Sequence, residues 1–212
     1  MNFTGTLRNY FAEHKGEIFD VGFEQKHSFG MIDIKTMNKI LNRLESEGVI
    51  AGVSKGVYYI NDGNECTEEK IVDYYTGIDG TNGMLSGDSL FYDLCLIDEK
   101  PKITTVISGK TCINRHIGDI YIEKANHYLV LDKEILTMLE MYDNLNAPYN
   151  PIRFAEVIMT CIKAYNDTYF KSALKTKSYK YSTVLKVAKL LDDDDAKIEN
   201  RVLEIYEEVT AR

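Results

Sequence analysis

The stretch Ile34-Lys35-Thr36-Met37-Asn38-Lys39-Ile40-Leu41-Asn42-Arg43-Leu44-Glu45-Ser46-Glu47-Gly48-Val49-Ile50 decides how this chain is read. Ile34, Met37, Leu41 and Leu44 fall at i, i+3, i+7 and i+10, and Ile40 widens the stripe. That spacing predicts an amphipathic helix with one apolar face. Lys35, Asn38, Lys39, Asn42 and Arg43 then lie on its other sides. Asp33 is placed to cap the helix start, and Gly48 to end it. Downstream, Val49–Val53 and Val57–Ile60 are β-branched and aromatic runs around Ser54-Lys55-Gly56, which predicts a hairpin.

Upstream, Leu7, Tyr10 and Phe11 predict a first helix over Thr6–His14, stopped by Gly16. Ile18-Phe19 is a short apolar touch suited to one strand. Asp20 is placed to cap a second helix running to about Lys26, which Gly30 breaks. Three short helices followed by a hairpin is the order of a winged helix-turn-helix. In that geometry the 34–47 helix enters the major groove of DNA. Lysine, asparagine and arginine suit its outer face, because they donate to base edges and phosphates. Lys35, Thr36, Asn38, Lys39 and Asn42 are the candidate groove contacts. Arg43 and the hairpin-tip Lys55 are the candidate phosphate contacts. Asn61-Asp62-Gly63-Asn64 is a turn cluster. It divides a winged-helix DNA-binding domain, 1–62, from an α+β domain, 63–212.

The same residues carry a family resemblance. Leu41, Leu44, Gly48 and Ile50, followed by Lys55-Gly56-Val57-Tyr58, resemble the N-terminal winged helix of AbiEi-type antitoxins of type IV (abortive-infection) toxin–antitoxin systems. The likeness spans about a quarter of the chain. Family wings carry Arg or Lys before the tip, where this chain has Ala51-Gly52-Val53, a difference that lowers the affinity expected from the wing. The run Met84-Leu85-Ser86-Gly87-Asp88-Ser89-Leu90 is similar to the small-residue start of the helix that opens the family's second domain. The resemblance implies a cytoplasmic transcriptional autorepressor that binds an inverted repeat in its own promoter as a monomer or dimer. It also implies a C-terminal domain that neutralises a nucleotidyltransferase-like toxin, with no stable complex required.

Beyond the boundary, Lys102–Ser108, Gly118–Ile122 and Tyr128–Val130 read as strands. The residues from Leu131 on, Ile152–Tyr165, Val184–Leu191 and Ala196–Val209 read as helices, and Pro148 and Pro151 bracket a loop. The predicted class is α+β with its helices gathered at the end.

Composition limits the function. An apolar fraction of 44% supports a packed core, and no apolar run approaches the roughly 18–20 residues a membrane helix needs. The first residues lack the basic-then-apolar pattern of a signal peptide, so a soluble intracellular chain is expected. Cys66, Cys95, Cys112 and Cys161 form no CxxC pair and read as buried or half-buried free thiols. Charge is uneven: residues 61–150 hold 7 basic and 16 acidic residues, so phosphate is expected to bind only at a local patch elsewhere. One such patch is the acid-free segment 170–191, with Lys171, Lys175, Lys177, Lys180, Lys186 and Lys189 interleaved with Tyr179 and Tyr181. The acidic run Asp192–Asp195 follows it.

No catalytic residue, cofactor or metal ligand is assigned. The glycines at 77, 80, 83 and 87 match neither a dinucleotide fingerprint nor a P-loop. Ser108, His116 and Asp119 lack a nucleophile elbow. Two other functions stay open. One is a winged-helix regulator whose C-terminal domain senses a ligand or partner. The other is a metal-dependent nuclease built on Asp98-Glu99-Lys100 with Asp88 or Asp93.

Overall fold

The computed structural model describes residues 2–145, 149–191 and 196–211, with backbone only at 196–200. Pro148 and the Asp192–Asp195 run lie outside the described residues. The fold is mixed α+β. It opens with α1 (Phe3–Glu13), β1 (Ile18–Asp20), α2 (Val21–His27), α3 (Ile34–Ser46), β2 (Ile50–Ser54) and β3 (Val57–Ile60). The three strands form an antiparallel sheet in the order β1-β3-β2.

Next come α4 (Glu68–Thr76), β4 (Gly83–Leu85), α5 (Gly87–Asp93), β5 (Thr104–Ser108), β6 (Arg115–Ile117) and β7 (Ile120–Lys124). The second sheet is ordered β4-β5-β7-β6, with only the β5–β7 pair parallel. The chain ends in α6 (Lys133–Asp143), α7 (Pro151–Lys163), α8 (Asp167–Ala173), α9 (Tyr181–Leu191) and α10 (Ala196–Thr210). Among the described residues, no helix is long and apolar enough to cross a membrane.

Side-chain alternation along the first sheet explains the layering. Phe19 and Ile60 face α1 and α3, where they meet Leu7, Phe11, Met37, Leu41 and Leu44. Ile18, Val57 and Tyr59 face the other way, onto Ile71 and Tyr75 of α4 and Val106, Ile117, Ile120 and Ile122 of the second sheet. The Asn61–Asn64 turn therefore separates two sequence segments that share a buried layer. A third core gathers α5 to α10 around Phe91, Leu136, Leu139, Phe170, Val184 and Val187, with Val202 and Ile205.

A polar contact crosses the same layer. Asp20 is fully buried and caps α2, accepting from the N–H groups of Gly22 at 3.0 Å and Phe23 at 3.3 Å. Tyr75 donates its hydroxyl to Asp20 Oδ2 at 2.9 Å, and Arg115 Nη2 of β6 lies 3.2 Å from the same oxygen. Burial and the Asp20 charge push the Tyr75 hydroxyl well above its ordinary pKa.

Several expectations differ from the structure. No strand forms at Tyr128–Val130. A single 3₁₀ turn spans Val130–Asp132 and leaves Leu129, Val130 and Leu131 exposed. Such a short apolar run has no period to distinguish strand from turn. Elements α4, α8, β4 and β6 were not anticipated, although Thr67 as a cap with Ile71 and Tyr75 one turn apart is a readable helix signal. All four cysteines are free, but Cys95 is exposed rather than covered. Burial raises the Cys161 thiol to about 12.

Candidate nucleic-acid interface

Helix α3 begins where Asp33 Oδ1 accepts from the N–H groups of Lys35 at 3.1 Å and Thr36 at 3.0 Å. Hydrogen bonds from Thr36, side chain and backbone, hold the Asp33 carboxyl below the usual carboxylate range. The helix ends where Gly48 takes φ +73°, a left-handed conformation that favours glycine, and Val49 N–H reaches Leu44 O at 2.9 Å. Met37, Leu41 and Leu44 are fully buried, and Ile40 nearly so, whereas Ile34, expected on the same stripe, is exposed in the first turn, beyond the reach of the core. That inner stripe fixes the helix rotation, so the opposite face must point outward.

Lys35, Asn38, Lys39 and Asn42 are all exposed on that outer face, with Thr36 half-buried at its edge. Neither Lys35 nor Lys39 forms an ion pair among the described residues. The neighbouring acids are engaged at the margins. Glu45 Oε1 accepts from Gly52 N–H of β2 at 3.0 Å, which ties the helix to the hairpin. Glu47 pairs with Arg43 at 3.6 Å and with Arg8 of α1. Arg43 is thus exposed but shared with a carboxylate.

Lys55 is exposed at the hairpin turn, beside Gly56 at φ +74°. The hairpin tip does not project freely. Ser54 Oγ lies 3.4 Å from His116 O of β6, and Val21 N–H donates to Gly56 O at 3.0 Å.

Of the six C-terminal lysines, Lys177 is turned inward. Lys177 is mostly buried, 2.7 Å from Glu140 Oε1, with Glu123 at 3.8 Å and Asp143 at 3.9 Å. Tyr179 donates its hydroxyl to the same Glu140 oxygen at 2.9 Å. Burial pushes the Glu140 carboxyl upward while the Lys177 ammonium pulls it back. Lys177 is therefore an internal counter-ion and not part of an open basic surface. Lys171 pairs with Glu208 across to α10. Lys175, Lys180, Lys186 and Lys189 remain exposed.

The other chemistries fare as follows. Asp88, Asp98, Glu99 and Lys100 line one open cavity of about 750 Å³ with Tyr149 and Asn150, and Asp93 does not line it. Among the described residues, no three His, Cys, Asp or Glu side chains converge so as to hold a metal ion. Ser108 Oγ is buried and donates to Tyr75 O at 2.6 Å, whereas His116 is exposed and lies tilted against the Tyr121 ring. The glycine-rich loop lines a cavity of about 620 Å³ between Ile18 of β1 and α4, into which Lys70, Tyr74, Asn82 and Lys110 also face.

Sequence reasoning placed Asp20 as a helix cap but not its contact with Arg115, and it missed the buried Glu140 and its half-buried neighbours Glu123 and Asp143. Glu140 carried one visible signal: it is a lone charge in the apolar run Ile135–Met141.

No protein-family model matches the chain, and no curated protein does. Among solved structures, the chain is similar to the crystal structure of RV2827C protein from Mycobacterium tuberculosis. The two are 10% identical with a TM-score of 0.38, over 97% of this chain and 81% of that one.

Proposed function

We propose that the first sixty residues are a winged helix that binds duplex DNA through α3, and that the chain is an antitoxin and autorepressor of a type IV toxin–antitoxin system. One observation carries the DNA half. The buried stripe of Met37, Leu41 and Leu44 leaves Lys35, Asn38, Lys39 and Asn42 together on a solvent-facing helix surface, with the exposed acids Asp33 and Glu45 at its two ends bonded to backbone N–H groups. Cationic and amide groups at that spacing suit phosphates and base edges in a major groove. The order β1-β3-β2 around three helices supports the same reading. The antitoxin half rests on the residue pattern of Leu41 to Tyr58.

The test is titration of the intact protein against a duplex from its own upstream region. Binding is expected, and an affinity unchanged by both Lys35→Ala and Lys39→Ala would reject α3 as the reading helix. Co-expression with a nucleotidyltransferase-like toxin encoded next door tests neutralisation.

A second reading, a regulator that senses a small ligand, is favoured by the 620 Å³ cavity beside β1. Its volume is in the range of small-molecule sites. Ligand-dependent loss of DNA binding would support it.

A further inference from the structure

We infer that Met31 and Ile34 read the methyl groups of thymine, so that the α3 surface prefers sites containing A·T pairs. The inference rests on the DNA-binding reading above and adds the base class to it.

Both side chains are large, apolar and uncovered: Met31 is 63% exposed and Ile34 47%. Their exposure is built into a fixed turn. Phe29 and Ile32, on either side of Met31, are buried in the N-terminal core. Ile32 N–H donates to Phe29 O at 2.9 Å, and Gln25 Nε2 donates to Ile32 O at 3.0 Å. The Asp33 cap then fixes the first helical turn, where Ile34 is the first residue. The backbone thus holds Met31 and Ile34 outward at the end of the helix that enters a groove first.

Their neighbours identify what would cover them. Ile34 and Asn38 are one helical turn apart on one edge, with Lys35 and Lys39 beside them. Neither lysine has a carboxylate partner among the described residues. A partner must therefore bring negative charge and small apolar groups to the same few ångströms. The major groove does so: phosphates flank it, and each thymine places a C5-methyl in it. Asn38 fits the same pair, because a carboxamide can bond adenine N6 and N7 bidentately.

The experiment compares two duplexes of identical sequence from the chain's own upstream region, one with thymine and one with deoxyuridine throughout. Deoxyuridine lacks only the methyl. Wild-type protein is expected to bind the deoxyuridine duplex about fourfold more weakly for each methyl it covers. The double variant Met31→Ala/Ile34→Ala should bind the two duplexes equally, with an unchanged melting temperature. Lys39→Ala should lose affinity for both and keep their ratio.

Equal wild-type binding to the two duplexes would overturn the inference, as would discrimination that survives in the double variant. A wild-type dimer that the double variant converts to monomer would assign the pair to self-association and overturn it too. Absence of binding to either duplex would instead remove the DNA-binding reading beneath it.

Discussion

Two segments of this chain are rich in lysine, and the fold uses them in opposite ways. On α3, the buried stripe of Met37, Ile40, Leu41 and Leu44 is entirely aliphatic or thioether, so nothing polar is drawn inward. Lys35 and Lys39 stay in water, and the nearby acids are spent on Gly52, Arg8 and Arg43. Between residues 170 and 191 the adjoining core contains a carboxylate, Glu140, and Lys177 is pulled in to meet it. A lysine count therefore describes a surface only when the core beneath it is already electrically satisfied. Burying one charge recruits a second of opposite sign.

The sharpest way to break this contrast is Lys177→Met. Removing the ammonium leaves Glu140 buried and uncompensated, and a loss of about 3–5 kcal/mol in folding stability is expected by denaturant titration. The pH dependence has a definite sign. Burial raises the Glu140 carboxyl, and without Lys177 nothing pulls it back as strongly. A group with a raised folded-state pKa stabilises below its ordinary pKa and loses that contribution as pH rises through the raised value. The variant should therefore recover stability, relative to wild type, as the pH is lowered from neutral into mild acid.

Lys39→Ala is the counterpart on α3. It should cost about 1–3 kcal/mol in DNA binding if the side chain reads a base, or lower the salt slope by about 1 if it meets phosphate. Its folding stability should stay within about 0.5 kcal/mol of wild type, the usual range for an exposed position. A stability loss comparable to that of Lys177→Met would erase the distinction between the two segments. A subtler change is Glu47→Gln, which frees Arg8 and Arg43 from their shared carboxylate. DNA affinity should rise and the salt slope should steepen by about 1, with little change in stability because exposed ion pairs contribute about 0–1 kcal/mol. The smallest effect belongs to Lys186→Ala/Lys189→Ala. Stability and DNA binding should both be preserved, so that any loss of toxin neutralisation in this variant reports a surface role.

How much of this was legible in the sequence depended on range. The α3 helix was read to within a residue because its signals are local. Asp33 caps it, Gly48 ends it, and the stripe from Met37 to Leu44 repeats at helical period. The hairpin was equally local. The place of Lys177 is not legible because its partners lie at positions 123, 140 and 143, brought together by β7 and α6. No spacing rule within 170–191 contains them. The Asp20–Arg115 contact is hidden for the same reason, joining residues on different sheets. The exposed Met31 and Ile34 were in plain view, but apolar letters in a sequence do not announce which side they face.

The layer formed by Ile18, Val57 and Tyr59 against the second sheet has a practical consequence. Severing the chain near residue 62 would strip three greasy side chains of their cover and leave the Asp20 carboxylate without its guanidinium. The opening segment is thus not a detachable cassette. Grafting it onto a foreign effector would demand a replacement floor, and a disturbance of β6 would be felt at the start of α2, the helix that precedes α3.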